Sequence, residues 1–374
     1  MRMLFVAGGS SGVIFSIIPL AQAARHAGHE VLMAGPENMM PTITSAGIPG
    51  VAVTSRDMLE TLFDEAGNRR VIPADLHERY LFNGRQFGRY ASWCLEGLLP
   101  LADRWRPDVV VGGALAFAAP VVARYAGVPY VKHAVDMGEP RTIDLAAAAE
   151  LAPDLRRLGF HDMPWSDLFV DICPPSLRET DAPPAELMRY VPYSTKGPVE
   201  PWMYTKGRRT RLLVSAGNRV TPDYFDILGG LVDKVGRLDV ELLVMAPEKA
   251  AGHLGRLPDN VRVGWVPLDV VAPTCDVVMS HAGGTTVLGT MHYGVPQVLV
   301  PYLPYARGFT ERLCAYGAAK MVPPEEDSPE NITQACKEVL ENPAYRQRAR
   351  DIAAEMAGLP TPARTLAAVE RLVV

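Results

Sequence analysis

The stretch Ser280–Pro301, SHAGGTTVLGTMHYGVPQVLVP, gathers side chains that suit an anion better than a packed core. It follows the apolar run CDVVM and leads into PQVLVP, so a buried strand delivers His281 to its carboxyl end. Gly283 and Gly284 let the backbone turn tightly and approach a ligand closely. Thr285 and Thr286 open a helical stretch, where they can cap it or offer hydroxyl and amide groups to an anion. A helix N-terminus favours negative charge by about 0.3–1 kcal/mol before direct hydrogen bonds are counted. With a histidine as a further donor, the group fits a diphosphate. A plain turn with an N-cap and an internally bonded histidine satisfies the same spacing, so both readings stay open on spacing alone.

Such a group needs a sheet to carry it. RMLFVAG is a short continuous apolar run ending in glycine, as a buried parallel strand reads. Helical spacing follows at Val13, Ile17, Leu20, Ala21 and Ala24, with Gly28 as a stop and HEVLMAG as the next strand, a βαβ opening. RPDVVVGG and VPYVKHA read as later strands of that sheet. Thr54–Trp93 breaks the rhythm with charges, breakers and the aromatics Phe63, Tyr80, Phe82, Phe87 and Tyr90, and reads as loops and irregular helices over the sheet. A second α/β pattern starts near Arg211. Its strands RLLVSAG, ELLVMAP, VRVGWVP, CDVVMSH and PQVLVP alternate with helical stretches such as Pro222–Val235 and Gly308–Tyr316. A Pro- and Gly-rich span between the halves suits a linker. The expectation is α/β with two facing doubly wound, Rossmann-like domains, and a ligand beyond the carboxyl ends of the strands in the cleft between them.

Composition narrows the function. A chain of 374 residues exceeds one ordinary core, so two domains are expected. With 48% hydrophobic and 21% charged residues it reads as a globular enzyme, and a net charge of −5 argues against a nucleic-acid partner. The five cysteines, at 94, 173, 275, 314 and 336, form no CxxC pair, which suits a reducing cytoplasm and no zinc ribbon. The N-terminal apolar run is interrupted too soon for a signal peptide, and no stretch of ~18 apolar residues follows, so no membrane association is expected.

The long signature SHAGGTTVLGTMHYGVPQVLVP, preceded by VGWVPLDVVAPTCD, resembles the donor-binding signature of inverting family-1 glycosyltransferases with the GT-B fold. It is especially similar to actinobacterial enzymes that attach deoxysugars to polyketides. DLFVDICPPSLR and EPWMYT are similar to the olivosyltransferases of angucycline pathways, which form either O- or C-glycosidic bonds. The resemblance spans nearly the whole chain. It implies residues 1–191 as acceptor-binding domain, 192–210 as linker, 211–356 as nucleotide-sugar domain and 357–374 as a helix crossing back. It further implies that His281, Gly283, Gly284, Thr285 and Thr286 bind the donor diphosphate, with Asn218, Arg219 and Ser10 as further candidates. Trp265, Val266 and Pro267 would hold the nucleobase, though a core tryptophan reads the same way. Phe63, Tyr80, Phe82 and Phe87 become the acceptor-binding candidates. The implied substrates are a TDP-deoxysugar and an aromatic polyketide in antibiotic biosynthesis, with TDP-sugar as co-substrate, no cofactor and no metal. A homodimer is left open.

Two departures matter. Many relatives carry a histidine in the first loop as base, where this chain has Val13 in SSGVIFS. The base is then expected at Asp136 in VKHAVDMGEP, matching an aspartate of close relatives, with Glu139 and His133 as rivals and a solvent-facing acidic loop as the plain alternative. After VPQ, relatives carry an acid–amide pair for sugar hydroxyls, whereas this chain reads PYLPYARGFTER. Unmatched buried polar groups cost about 1–3 kcal/mol, so fewer of them suit a sugar with fewer hydroxyls. Two other functions compete. A non-catalytic helper of a partner transferase would explain the lost histidine. A nicotinamide oxidoreductase rests only on GGSSG, which lacks GxGxxG spacing.

Overall fold

A computed structural model describes the chain apart from residues 139, 196, 216, 218–229, 231, 234, 236–237, 247–259, 304 and 374. The chain forms two compact units. One comprises Met1–Cys173, Thr180–Arg189 and Pro360–Val374, and the other Pro174–Glu179 and Tyr190–Leu359.

The first unit is built on seven parallel strands, β1 (Arg2–Val6), β2 (Glu30–Pro36), β3 (Gly50–Thr54), β4 (Val109–Gly113), β5 (Tyr130–His133), β6 (Leu168–Asp171) and β7 (Glu186–Leu187), in the order β3-β2-β1-β4-β5-β6-β7. The strand order reverses between β1 and β4, which is where such sheets place ligands. Leu4, Val6 and Val110 of the strands pack with Leu95 and Leu98, Val121 and Val122, and Ile143 and Ala147 of three helices. Helix Ser11–His26 is joined in this unit by the returning helix Pro362–Glu370.

The span Thr54–Trp93, expected to be irregular, is regular from Leu76 onward. One helix runs Leu76–Trp105, N-capped by the Asp75 carboxylate, which accepts from the Glu78 amide at 2.9 Å. Its glycines look like breakers in sequence but are contact points. A Cβ at Gly84 would stand 2.4 Å from the Ile143 carbonyl oxygen, and one at Gly97 would stand 2.3 Å from that of Val53. Tertiary packing outweighs the roughly 1 kcal/mol that each glycine costs a helix.

The second unit repeats the plan with β8 (Arg211–Ser215), β9 (Glu241–Met245), β10 (Val261–Gly264), β11 (Val277–Ser280), β12 (Gln297–Leu299) and β13 (Ala319–Met321), all parallel, ordered β10-β9-β8-β11-β12-β13. Its switch point lies between β8 and β11. Residues 192–210, expected as a linker, belong to this unit. Met203 is buried in its core beside Leu213 and Val278. Most of the expected helix Pro222–Val235 lies outside the described residues. Among the described residues no helix is long and apolar enough to cross a membrane, and the five cysteines are free.

Candidate functional site

At the switch point of the second sheet, Ser215 of β8 and Ser280 of β11 are register partners, and both are fully buried. Each hydroxyl accepts the amide two residues on, Gly217 to Ser215 at 3.1 Å and Ala282 to Ser280 at 3.3 Å. The two strand ends therefore turn in parallel, as short Ser-stabilised turns do. His281 leaves the strand between them. Its amide bonds the Ser215 carbonyl at 3.3 Å, and its Nδ1 faces the same oxygen at 3.5 Å.

The imidazole lies in a slot between two glycines. A Cβ at Gly217 would come within 2.7 Å of the ring's Cε1, and one at Gly283 within 2.7 Å of Nε2. Gly217 also needs its φ of +84°, which side-chain-bearing residues rarely adopt. Ala282 is buried at φ 61° without being glycine. Such backbone costs of order 1–3 kcal/mol and tends to sit at functional sites. Burial holds the His281 pKa below its ordinary value, while the Ser215 carbonyl opposes that shift. The resting ring is neutral. With Nδ1–H turned to the carbonyl, Nε2 can donate to an anion only after gaining a proton.

Helix Gly284–His292 begins three residues after His281, with Gly283 as N-cap and no side-chain cap. Thr285 and Thr286, considered as caps in the sequence, instead occupy its first turn, Thr286 buried and Thr285 half-buried. The first-turn amides of Gly284, Thr285 and Thr286 have no earlier helical carbonyl to bond, which leaves an electropositive end next to His281. Trp265, Val266 and Pro267 follow β10. Val266 faces the core, and half-buried Trp265 donates through Nε1 to the Thr195 carbonyl at 3.4 Å. Asn218 and Arg219 lie outside the described residues.

In the first unit, Ser10 is the N-cap of helix Ser11–His26, without a capping side-chain bond. Val13 packs on Gly8, whose Cβ would stand 2.7 Å from Val13 Cγ1. A Cβ on Gly113 of β4 would touch both Val13 at 3.4 Å and Val135 at 3.2 Å. The first loop and the segment carrying Asp136 thus meet at this unit's switch point. Asp136 is 7% exposed, and its Oδ1 accepts the Gly138 amide at 3.2 Å. His133 is fully buried, with Nδ1 donating to the Ala134 carbonyl at 2.6 Å, and burial pushes its pKa down to about 4. It is a neutral ring at pH 7. Glu139 lies outside the described residues. Of the aromatics, Tyr80 and Phe87 pack against the core, Phe87 with its ring 6.4 Å from Phe117, while Phe82 is half-buried and Phe63 is 45% exposed.

Sequence reasoning missed the clasp of Gly217 and Gly283 on His281, and the paired serines beneath it. The signal was present in SAG and SHAGG at the ends of two strands, but their adjacency comes from the sheet order. Among the described residues no three His, Cys, Asp or Glu side chains gather as a metal site would need.

Comparison with known proteins gives this geometry its setting. The family models described as erythromycin biosynthesis protein CIII-like match residues 22–217 (N-terminal domain) and 230–372 (C-terminal domain). L-demethylnoviosyl transferase of Streptomyces niveus is 32% identical, over 97% of this chain and 96% of its own. Elloramycin glycosyltransferase ElmGT of Streptomyces olivaceus is 31% identical, over 97% and 95%. The crystal structure of the glycosyltransferase SsfS6 of Streptomyces sp. SF2575, complexed with thymidine diphosphate, superposes with a TM-score of 0.87 at 35% identity, covering 99% of both chains. Two doubly wound sheets, a histidine at the second switch point and these matches end to end agree: the chain belongs to the erythromycin CIII-like family and is a glycosyltransferase with the GT-B fold.

Proposed function

We propose that this enzyme moves an olivose-like deoxyhexose from a TDP-sugar to an angucycline-type aromatic polyketide, with inversion and without a metal or other cofactor. As a member of its family it is a TDP-sugar hexosyltransferase of antibiotic polyketide biosynthesis. The observation that carries the reading is His281, held between Gly217 and Gly283 beside an uncapped helix N-terminus. Those groups suit a departing diphosphate, whose charge grows as the anomeric bond breaks. Thymidine diphosphate bound to the SsfS6 structure supports TDP as the carrier.

In the proposed reaction a phenol of the acceptor gives its proton to the Asp136 carboxylate. The oxygen, or the ortho carbon that shares its negative charge, attacks the anomeric carbon opposite the diphosphate. The carbon–oxygen bond to TDP breaks through an oxocarbenium-like transition state, and TDP leaves with the electron pair. When carbon attacks, the ring regains its aromaticity by losing the proton from that carbon. Fewer sugar hydroxyls fit the segment after β12, where PYLPYARGFTER has no acid–amide pair before Glu311 and the Tyr302 hydroxyl already donates to Asp327.

Val13 in place of a first-loop histidine favours one other reading, a helper that activates a partner transferase. Incubating the purified chain alone with TDP-olivose and an aromatic polyketide acceptor decides between them. A glycoside identified by NMR, β if the donor is α, is the expected result. No product here, but product once a partner transferase is added, overturns it.

A further inference from the structure

The span 190–195 opens the longer segment of the second unit and touches both pieces of the donor half-site. The Tyr190 hydroxyl donates to the Thr285 carbonyl at 3.3 Å, in the first turn of helix Gly284–His292. The Ser194 hydroxyl donates to Asp269 Oδ1 at 2.6 Å, just after the Trp265–Pro267 loop, and the Trp265 ring returns a bond to the Thr195 carbonyl. Tyr190 and Ser194 are 2% and 7% exposed. Loop and helix also interlock directly, because Gly289 leaves room for Leu268: a Cβ there would stand 2.8 Å from Leu268 Cδ2.

We infer that Tyr190 and Ser194 are positioning residues for the nucleoside diphosphate, fixing the nucleobase loop and the phosphate helix at a set spacing. The inference rests on the reading of Trp265–Pro267 and His281–Thr286 as the donor site. A ligand that spans both pieces is sensitive to their separation, and a small misplacement of binding groups is costly. The chemistry fits a holding role and not a reacting one. Burial, with Tyr293 and Asp269 nearby, raises the Tyr190 pKa, so its hydroxyl stays a donor. Tyr190→Phe would fill the same space without that bond, and Ser194→Ala would remove the hydroxyl bonded to Asp269.

Calorimetry with TDP, donor kinetics and thermal melts on the full chain test this, using Tyr190→Phe, Ser194→Ala, Ser194→Thr and His281→Ala. Tyr190→Phe, which loses one neutral hydrogen bond, should weaken TDP binding and raise the donor KM about 2- to 10-fold, and Ser194→Ala, which loses a bond to a carboxylate, should do so by about 10-fold or more. Turnover at saturating donor should stay within about twofold, since positions that bind ground and transition states alike act on KM. Ser194→Thr, which keeps the hydroxyl, should restore affinity. If His281→Ala weakens TDP binding and both removal variants leave it unchanged, the positioning role is wrong while the donor site stands. If His281→Ala also leaves TDP binding unchanged, the donor-site reading itself falls. A fall in kcat with donor KM unchanged, or no recovery in Ser194→Thr, also overturns the inference.

Discussion

Gly283→Ala tests the imidazole slot with one methyl group. At Gly283 the backbone has φ −66° and ψ 129°, which alanine adopts without strain. The nearest atoms to the added Cβ all belong to the His281 ring, Nε2 at 2.7 Å, Cε1 at 2.8 Å and Cδ2 at 3.8 Å. Non-bonded carbons settle at about 3.5–4.0 Å, so the ring must retreat by roughly 0.7–1.3 Å. That would end the hydrogen bond proposed from Nε2 to a diphosphate oxygen. Hydrogen bonds to charged groups contribute about 1.5–3 kcal/mol, so TDP should bind roughly 10- to 150-fold more weakly. The fold should survive, because a poorer N-cap costs about 1 kcal/mol and the stiffer unfolded chain returns about 0.4–1 kcal/mol. Calorimetry on Gly283→Ala, His281→Ala and the double variant is the assay. The losses should not add, since both changes remove one interaction. A folded Gly283→Ala protein that binds TDP within twofold of the parent, or strictly additive losses, would refute the slot.

Gly217→Ala should weaken TDP binding similarly but also lower the melting temperature, because its φ of +84° adds strain to the 2.7 Å contact; equal melting temperatures for the two glycine variants would contradict this. Asp136→Asn should cut turnover by about 10²–10⁴ at unchanged TDP affinity, with partial rescue as pH approaches a phenol pKa near ~10. Near-normal turnover at pH 7 would move the base elsewhere. His133 has a folded pKa of about 4, below the 6.5 of an unfolded histidine, so its contribution is complete above pH 6.5 and is lost as pH falls towards 4. The loss should reach about 3 kcal/mol in unfolding titrations, and His133→Gln should flatten that slope.

The sheets were legible because their central strands are unbroken apolar runs, as in LFV and VVV, buried on both faces. Four strands escaped notice. Gly50–Thr54 runs straight into the span that reads as irregular, Leu168–Asp171 is four residues long, Glu186–Leu187 has two residues, and Ala319–Met321 carries a lysine. Helix Leu76–Trp105 escaped because Gly84 and Gly88 read as breaks, and their reason lies in neighbours distant in sequence. His281 and its threonines announced themselves by residue type. The slot around the ring did not, because Gly217 reaches it through the pairing of β8 with β11. The left-handed Ala282 had no signal at all, since alanine carries no preference for that backbone. Tyr190 and Ser194 sat in a span whose prolines and glycines suggested a tether.

The units are interleaved along the chain, and that bears on how new members of such a family arise. A single recombination break at 189/190 would join one parent's first unit to the other parent's helix Pro362–Glu370. That helix packs on Ser11–His26, and Glu370 bonds His29 at 2.8 Å, so both partners would be strangers. The same break would leave Glu179 with the wrong parent, opposite Arg312, to which it is bonded at 2.6 Å. Inheriting the first unit intact therefore takes several breaks, near 173/174, 179/180, 189/190 and 359/360, where the chain changes units. Hybrids made that way should express and melt like their parents. Hybrids made with one cut should first need repair mutations clustered at those seams.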